Sequence, residues 1–244
     1  MDKKFQRRIF ILILIALTIS LGGYILQKQN NKTKENQNRL LNKISSLENE
    51  LDKIKEENSI LNKRVNELQD EVYRDKDLLQ EQVQIINFRN EKSFTDENLI
   101  LPIFTANINT YKKEIKYYVT IPKILPMEEQ LHLLVNKLSQ YCFNGLPIEI
   151  VDIKDIEGKK IAIINLKEYS INQGIEDLEK LIGSSWKAYY FQGTAGGIIT
   201  SYQLIDTLLQ KDYDGEWIDG VQFLYEGKDI VFEHVLGLSD IHYR

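Results

Sequence analysis

No proline occurs before Pro102 and no glycine between Gly23 and Gly145, so the first two-fifths of this 244-residue chain lacks the residues that break long helices. All four prolines and eleven of the thirteen glycines fall after residue 100, where turns, strands and a packed core are expected. Cysteine is almost missing too. Cys142 stands alone, which excludes an intramolecular disulfide and any multi-cysteine metal site, and it reads as a small buried apolar residue. The three histidines, His132, His234 and His242, are too few and too scattered for metal-ligand spacing. A strong charge of either sign is also lacking: the net charge is -5 with both signs interspersed, so there is no basic field and nucleic acid is not an expected partner.

The N-terminal part does have one long apolar run. Residues 9–26 are uncharged and mostly aliphatic, and as a helix they would extend roughly 27 Å, close to the hydrocarbon thickness of a bilayer. Lys3, Lys4, Arg7 and Arg8 precede the run and favour a cytoplasmic N-terminus; Lys28, Lys32 and Lys34 come after it and weaken that bias. A cleaved signal peptide would have a shorter apolar region and a small-x-small site, and only Gly22 and Gly23 before Tyr24 come near one. No cysteine stands after the run that could carry a lipid. The expectation is an uncleaved signal anchor in the cell membrane. Residues 1–8 would form a cytoplasmic tail, 9–26 a transmembrane helix, and the rest would lie outside the cytoplasm.

From Leu40 the apolar residues recur at alternating steps of four and three. Ile44, Leu51, Val65, Val72 and Leu79 take one seam position, and Leu40, Leu47, Ile54, Leu61 and Leu68 the other: a heptad with a at Ile44 and d at Leu47. β-branched residues at several a positions with mostly leucine at d favour two parallel strands, and Asn58 at an a position fixes register at a cost in stability. In a parallel pair Lys43 meets Glu48, Glu50 meets Lys55 and Glu71 meets Lys76, each pair opposite in sign. Asp75 and Gln82 at later d positions loosen the seam before Phe88. Residues 34–92 are therefore expected to form a coiled-coil stalk and homodimer, holding the C-terminal part of the chain on the order of 80 Å from the bilayer. The competing reading is a solitary amphipathic helix packed on its own domain, which ordinarily shows a wider apolar stripe.

After a polar linker at 93–100 the pattern changes to short runs with turn signals, so 101–244 reads as a compact domain. Residues 101–108 and 115–121 read as strands around a turn at 109–112. Pro126 opens a helix with Leu131, Leu134, Val135, Leu138 and Cys142 on one face. Residues 148–156 and 159–166 form a hairpin across Glu157-Gly158. A second helix runs over 198–210 with Ile198, Tyr202, Ile205 and Leu209 inward, and a last hairpin joins 218–225 to 229–234. The segment 167–192 reads as a helix and an extra strand. The fold class is thus α+β: a transmembrane helix, a long coiled-coil helix, then a small two-layer domain with mostly antiparallel strands and two main helices.

Three local patterns carry a resemblance. They are the turn Phe191-Gln192-Gly193-Thr194-Ala195-Gly196-Gly197, the helix bearing Leu204 and Asp206-Thr207-Leu208-Leu209, and the strand Ile218-Asp219-Gly220-Val221-Gln222-Phe223, succeeded by Gly227, His234 and Leu238-Ser239. With this element order the region 115–240 resembles the GerMN domain of sporulation and spore-germination proteins. The resemblance implies a non-catalytic envelope domain, similar to ring-building domains that assemble at membranes during endospore formation. The chain departs from the simpler family pattern in its 167–192 insertion and its stalk.

The chemistry-bearing residues do not assemble a reaction. Ser239 and Asp240 lie near His234, and a hydrolase built on them is a minor alternative, but there is no nucleophile elbow. The glycine turn lacks the lysine and hydroxyl of a P-loop, although its amides could receive an anion. Asp212, Asp214, Glu216 and Asp219 around Trp217 lack a full set of calcium ligands. No catalytic, metal-binding or cofactor-binding residue is expected, and no cofactor. The expected function is a membrane-anchored extracytoplasmic scaffold. Its partners would be the bilayer, a second copy through the stalk, and an envelope protein or its own copies through the domain. Candidate contact residues are Trp217, Tyr189, Tyr190, Phe191, Gly193, Gly196, Gly197 and His234. A peptidoglycan- or sugar-binding module using Trp186, Trp217 and the acidic loop is the alternative.

Overall fold

The computed structural model of the chain describes residues 3–244, with side chains described from Leu14 onward apart from Ile15 and Leu236. The first element is one helix, α1, Lys3–Phe88. Without proline or an internal glycine beyond Gly23, no local signal interrupts it. Positions 9–13 and 15 of the expected membrane segment, and the four cations before it, have side chains outside the described residues. Among the described residues no helix is long and apolar enough to cross a membrane.

The chain divides into two units, Met1–Asn66 and Glu67–Arg244. In the first, the described residues of α1 are exposed apart from half-buried Gly22, with short-range pairs such as Lys55–Asp52 at 3.0 Å. The second holds residues 67–88 of α1 and everything after them. Residues 67–88, the end of the helix expected as stalk, fall within the same unit as the α/β elements. The expected linker at 93–100 is likewise structured, as a short helix α2, Lys92–Glu97, running into β1, Asn98–Ala106.

β1 pairs antiparallel with β2, Lys113–Pro122, around the expected turn, where Asn107 accepts from the amides of Asn109 and Thr110. Helix α3, Met127–Cys142, starts after Pro126 and carries Glu128 and Glu129 in its first turn, where the helix dipole favours them. Its buried face holds Leu131, Leu134, Val135 and Leu138, as the periodicity predicts. β3, Ile148–Ile156, and β4, Lys159–Leu166, form the expected hairpin, and both turn residues, Glu157 and Gly158, have the positive φ of a type I′ turn.

Helix α4, Thr194–Leu209, begins four residues before its expected start. Its buried face is Gly197, Thr200, Gln203, Leu204, Thr207, Leu208 and Leu209; of the residues expected inward Leu209 is buried, whereas Ile198, Tyr202 and Ile205 are half-buried. Polar residues turn inward because each finds a backbone partner. Phe104 N–H donates to Thr207 Oγ1 at 2.9 Å, Thr200 Oγ1 donates to Tyr190 O at 2.9 Å, and Gln210 Nε2 donates to Pro102 O at 2.8 Å.

β5, Gly220–Tyr225, then lies parallel beside β4, the one parallel pairing in a set otherwise antiparallel among the described residues. The last expected hairpin is cut short. β6 is only Lys228–Asp229; a 3-10 segment, Glu233–Ser239, comes next, and β7, His242–Tyr243, returns to pair with β5. Two sheets result, β1-β2 and a five-stranded one, and each of the two main helices touches both. The observed class is α+β with a long N-terminal helix.

Residues 167–192 form neither the expected α-helix nor a strand. They make an irregular loop with a 3-10 turn, Leu178–Lys180, and a π turn, Trp186–Tyr190. Side chains replace the missing ladder: Asn172 brackets Ile182 by donating to its carbonyl and accepting from its amide, both at 2.9 Å. Trp186 Nε1 donates to Lys167 O and closes the loop at its base.

Candidate functional site

An exposed apolar stripe lies along α1. Leu40, Ile44, Leu47, Leu51, Ile54, Leu61, Val65, Leu68 and Val72 are 45–66% exposed, and Asn58 is exposed among them. A soluble surface does not ordinarily carry so long and regular an apolar stripe. Its heptad spacing is that of a helix-pairing seam.

A different face of α1 is already occupied in its last turns. Leu78 and Ile85 are buried at 8% and 5% exposure, and between them Glu81 is 7% exposed. One Glu81 oxygen accepts from Thr120 N–H at 2.7 Å, Thr120 Oγ1 at 2.8 Å and Lys137 Nζ at 2.7 Å; the other accepts from Lys137 Nζ at 2.8 Å and Tyr141 Oη at 2.9 Å. Burial alone would raise the Glu81 pKa, but the Lys137 ammonium and the two Thr120 donors outweigh it and hold the carboxyl below its usual range. Burial, and after it the hydrogen bond to Glu81, pushes the Tyr141 phenol well up.

One residue on, Gln82 Nε2 donates to Tyr118 O at 2.6 Å and its Oε1 accepts from Tyr118 N–H at 3.2 Å. The amide thus stands in for a neighbouring strand and closes the free edge of β2. Neither role is visible in the heptad pattern. The signal was Leu78 and Ile85, seven residues apart and off the seam, a second apolar stripe on the same helix.

The predicted contact residues of the α/β unit separate into core and surface. Trp217 is a correction: at 4% exposure it is core, with Nε1 donating to Leu208 O at 2.6 Å. Phe191, 1% exposed, is also core; it stacks at 5.8 Å on Trp186, which is 0% exposed. Tyr190 is half-buried and meets Phe143 edge-on at 5.1 Å, and burial drives its phenol pKa up. Of the predicted aromatic contacts, Tyr189 alone is exposed, at 64%. The sugar-binding alternative rested on Trp186 and Trp217, and the structure commits both indoles to the interior.

Gly193, with φ +70°, caps α4, whereas Gly196 and Gly197 lie inside its first turn rather than before it. Gly197 is there for closeness: a Cβ on it would come within 2.2 Å of His234 O. Gly197→Ala is expected to lower the stability of this unit by about 1–3 kcal/mol through overpacking. Gly196→Ala, where the nearest atom would be 3.8 Å away, is expected to be neutral or stabilising by up to about 1 kcal/mol. Thermal unfolding monitored by tryptophan emission reads both, because Trp186 and Trp217 are the only tryptophans.

His234 is exposed, in a 3-10 segment and not in the strand expected over 229–234, and its carbonyl lies against Gly197. Ser239 Oγ is occupied by Ile230, accepting from its amide at 2.6 Å and donating to its carbonyl at 3.3 Å. In the acidic loop, Glu216 pairs with Lys160 at 2.7 Å and Asp219 accepts from the Lys160 amide at 2.7 Å. Among the described residues no three His, Cys, Asp or Glu side chains are placed to hold a metal ion.

Glu168 was not singled out by the sequence. It is 1% exposed, and its Oε1 accepts from Ser185 Oγ at 2.9 Å, Tyr225 Oη at 3.1 Å and Lys187 N–H at 3.2 Å, tying the 167–192 loop to β5. Its Oε2 is buried with no hydrogen bond among the described residues. Glu168→Ala orphans three donors, and a loss of about 1–3 kcal/mol is expected with faster amide exchange across 167–192. Glu168→Gln retains the acceptor and should lose less.

Comparison of the chain with protein-family models, curated proteins and solved structures gave no match.

Proposed function

We propose that this chain is a non-catalytic scaffold of the bacterial cell envelope. In this reading residues 9–26 anchor it in the membrane with the N-terminus in the cytoplasm, the heptads pair it with a second copy, and the α/β unit lies outside the cytoplasm. There it binds an envelope protein or further copies of itself. The observation that carries the reading is the seam from Leu40 to Val72, exposed along its whole length in the single chain and spaced for a parallel helical partner. The uncharged run at 9–26 behind four cations supports the anchor. The likeness of 115–240 to the GerMN pattern is the ground for linking the protein to sporulation or spore germination. Pairing also gives weak contacts of two domains the benefit of high effective concentration, so no tight monomeric site is required.

The test is topology and extraction. The full-length chain, expressed in a bacterium with a single cytoplasmic membrane, is expected to resist carbonate extraction and to lose its α/β unit to protease added outside intact protoplasts. Release into the soluble fraction would defeat the anchor, and protection from external protease would defeat the orientation.

A further inference from the structure

We infer that the dimer seam does not stop at the α/β unit but runs on across it, so that a second copy of this chain covers the outer face of α1 from Val72 to Ile86. This deepens the dimer reading and rests on it.

Three observations support it. In this stretch Val72, Leu79, Val83 and Ile86 are 66%, 65%, 55% and 68% exposed, and the first three border a shallow groove of ≈ 630 Å³ lined also by Lys76 and Phe88. Glu81 and Ile85, which dock on the unit, point some 160° away from Val83 at 100° per residue, so docking leaves the groove open. The helix has two working faces here, one occupied within the chain and one vacant.

The vacant face keeps the rhythm of the heptads. From Val72 the positions run Val72, Lys76, Leu79, Val83, Ile86, at steps of four, three, four and three. Only the doubled step of four, Leu68 to Val72 to Lys76, departs from the repeat. That is a stutter, which locally unwinds a left-handed supercoil without ending it. The strict heptad placed Asp75 and Gln82 at d and read a loosened seam. The shifted frame moves both from the centre of the seam to its flank, and Gln82 is in fact committed to the backbone of Tyr118.

Charge selects the occupant. In a parallel partner, Lys76 on the stripe faces acidic neighbours, Glu71 and Asp75 of the second copy, while an antiparallel or unrelated apolar helix has no such match. The two α/β units would then flank a shared helical axis at a fixed angle, each presenting its Tyr189 surface away from the pair or beside it in a set geometry.

Disulfide crosslinking of the full chain tests this. Burial pushes the Cys142 thiol up to about 11, so it reacts little near neutral pH; it is nonetheless replaced by alanine in every variant. Single cysteines are placed at Ile44, at Leu79 and at the exposed Asp77, and membranes are treated with a mild oxidant. Seam residues of an in-register pair can come within the roughly 7 Å between Cα atoms that a disulfide needs, and residues facing outward cannot. Ile44→Cys and Leu79→Cys are both expected to move most of the chain to twice its mass on a non-reducing gel, with Asp77→Cys unmoved. Crosslinking through Ile44→Cys without Leu79→Cys overturns the inference and leaves the stalk dimer standing. Failure of both removes the dimer reading and the inference with it. Crosslinking of Leu79→Cys to a species of another mass, or equal crosslinking at Asp77→Cys, also overturns it.

Discussion

Replacing Glu81 by alanine is expected to lower the unfolding free energy of the α/β unit by about 3–5 kcal/mol, the cost of removing one partner of a buried ion pair. The carboxylate holds Thr120 through two donors, Lys137 through two contacts and Tyr141 through one. Deleting it leaves the Lys137 ammonium, 24% exposed, without a counter-ion. Urea unfolding monitored by tryptophan emission measures the loss, since both tryptophans lie in this unit.

A pH dependence accompanies it. The Glu81 pKa is lowered in the folded state, so its contribution is present above the ordinary carboxylate value near 4.5 and is lost as pH falls through the lower folded value. Wild-type stability should therefore fall on acidification over that window more steeply than that of Glu81→Gln, which carries no titrating group. Equal slopes would mean the carboxyl is not held ionised by Lys137.

Replacing Ile54 and Leu61 together by lysine is expected to convert the proposed dimer to monomer without unfolding the α/β unit. Each of these d residues contributes about 1.5 kcal/mol or more when buried against a second copy. Two positions in two chains lose roughly 6 kcal/mol, which weakens association by more than four decades before charge repulsion is counted. Both side chains are exposed in the single chain, 53% and 60%, so the fold of the monomer does not depend on them. Sedimentation in detergent reads the change in mass, and unaltered tryptophan emission shows that the unit remains folded. A variant that sediments as wild type would mean that the seam is not the dimer interface. Asn58→Ile tests the same seam from the other side: a more stable assembly of less uniform size is expected once the polar a residue is gone.

Local sequence was legible wherever a residue's neighbours in the chain decide its conformation. The long helix came from missing breakers, α3 from its apolar spacing after Pro126, and the β3-β4 turn from Glu157-Gly158. Of the glycine turn, only Gly193 stands before α4; Gly196 and Gly197 are helical. The inward face of α4 was misread because Thr200 and Thr207 are buried by distant backbone groups, at Tyr190 and Phe104, that no local pattern announces. Residues 167–192 defeated a periodicity argument because side-chain bonds from Asn172, Glu168 and Trp186 hold them without any repeat. Trp217 was offered as a surface contact since an acidic loop surrounds it in sequence, whereas Leu208 supplies the acceptor that lets its indole sit inside.

By itself the sequence determined the helix, its heptad seam and the turn chemistry, because those depend on backbone torsions and on spacings within a few turns. The tertiary structure alone decided that α1 has a second face. Glu81 is an ordinary polar heptad residue until Thr120, Lys137 and Tyr141 converge on it from β2 and α3, and burial then makes that carboxylate's partners obligatory. Convergence of groups about 40 to 60 positions apart in the chain is a property of packing, and no reading of neighbours can supply it.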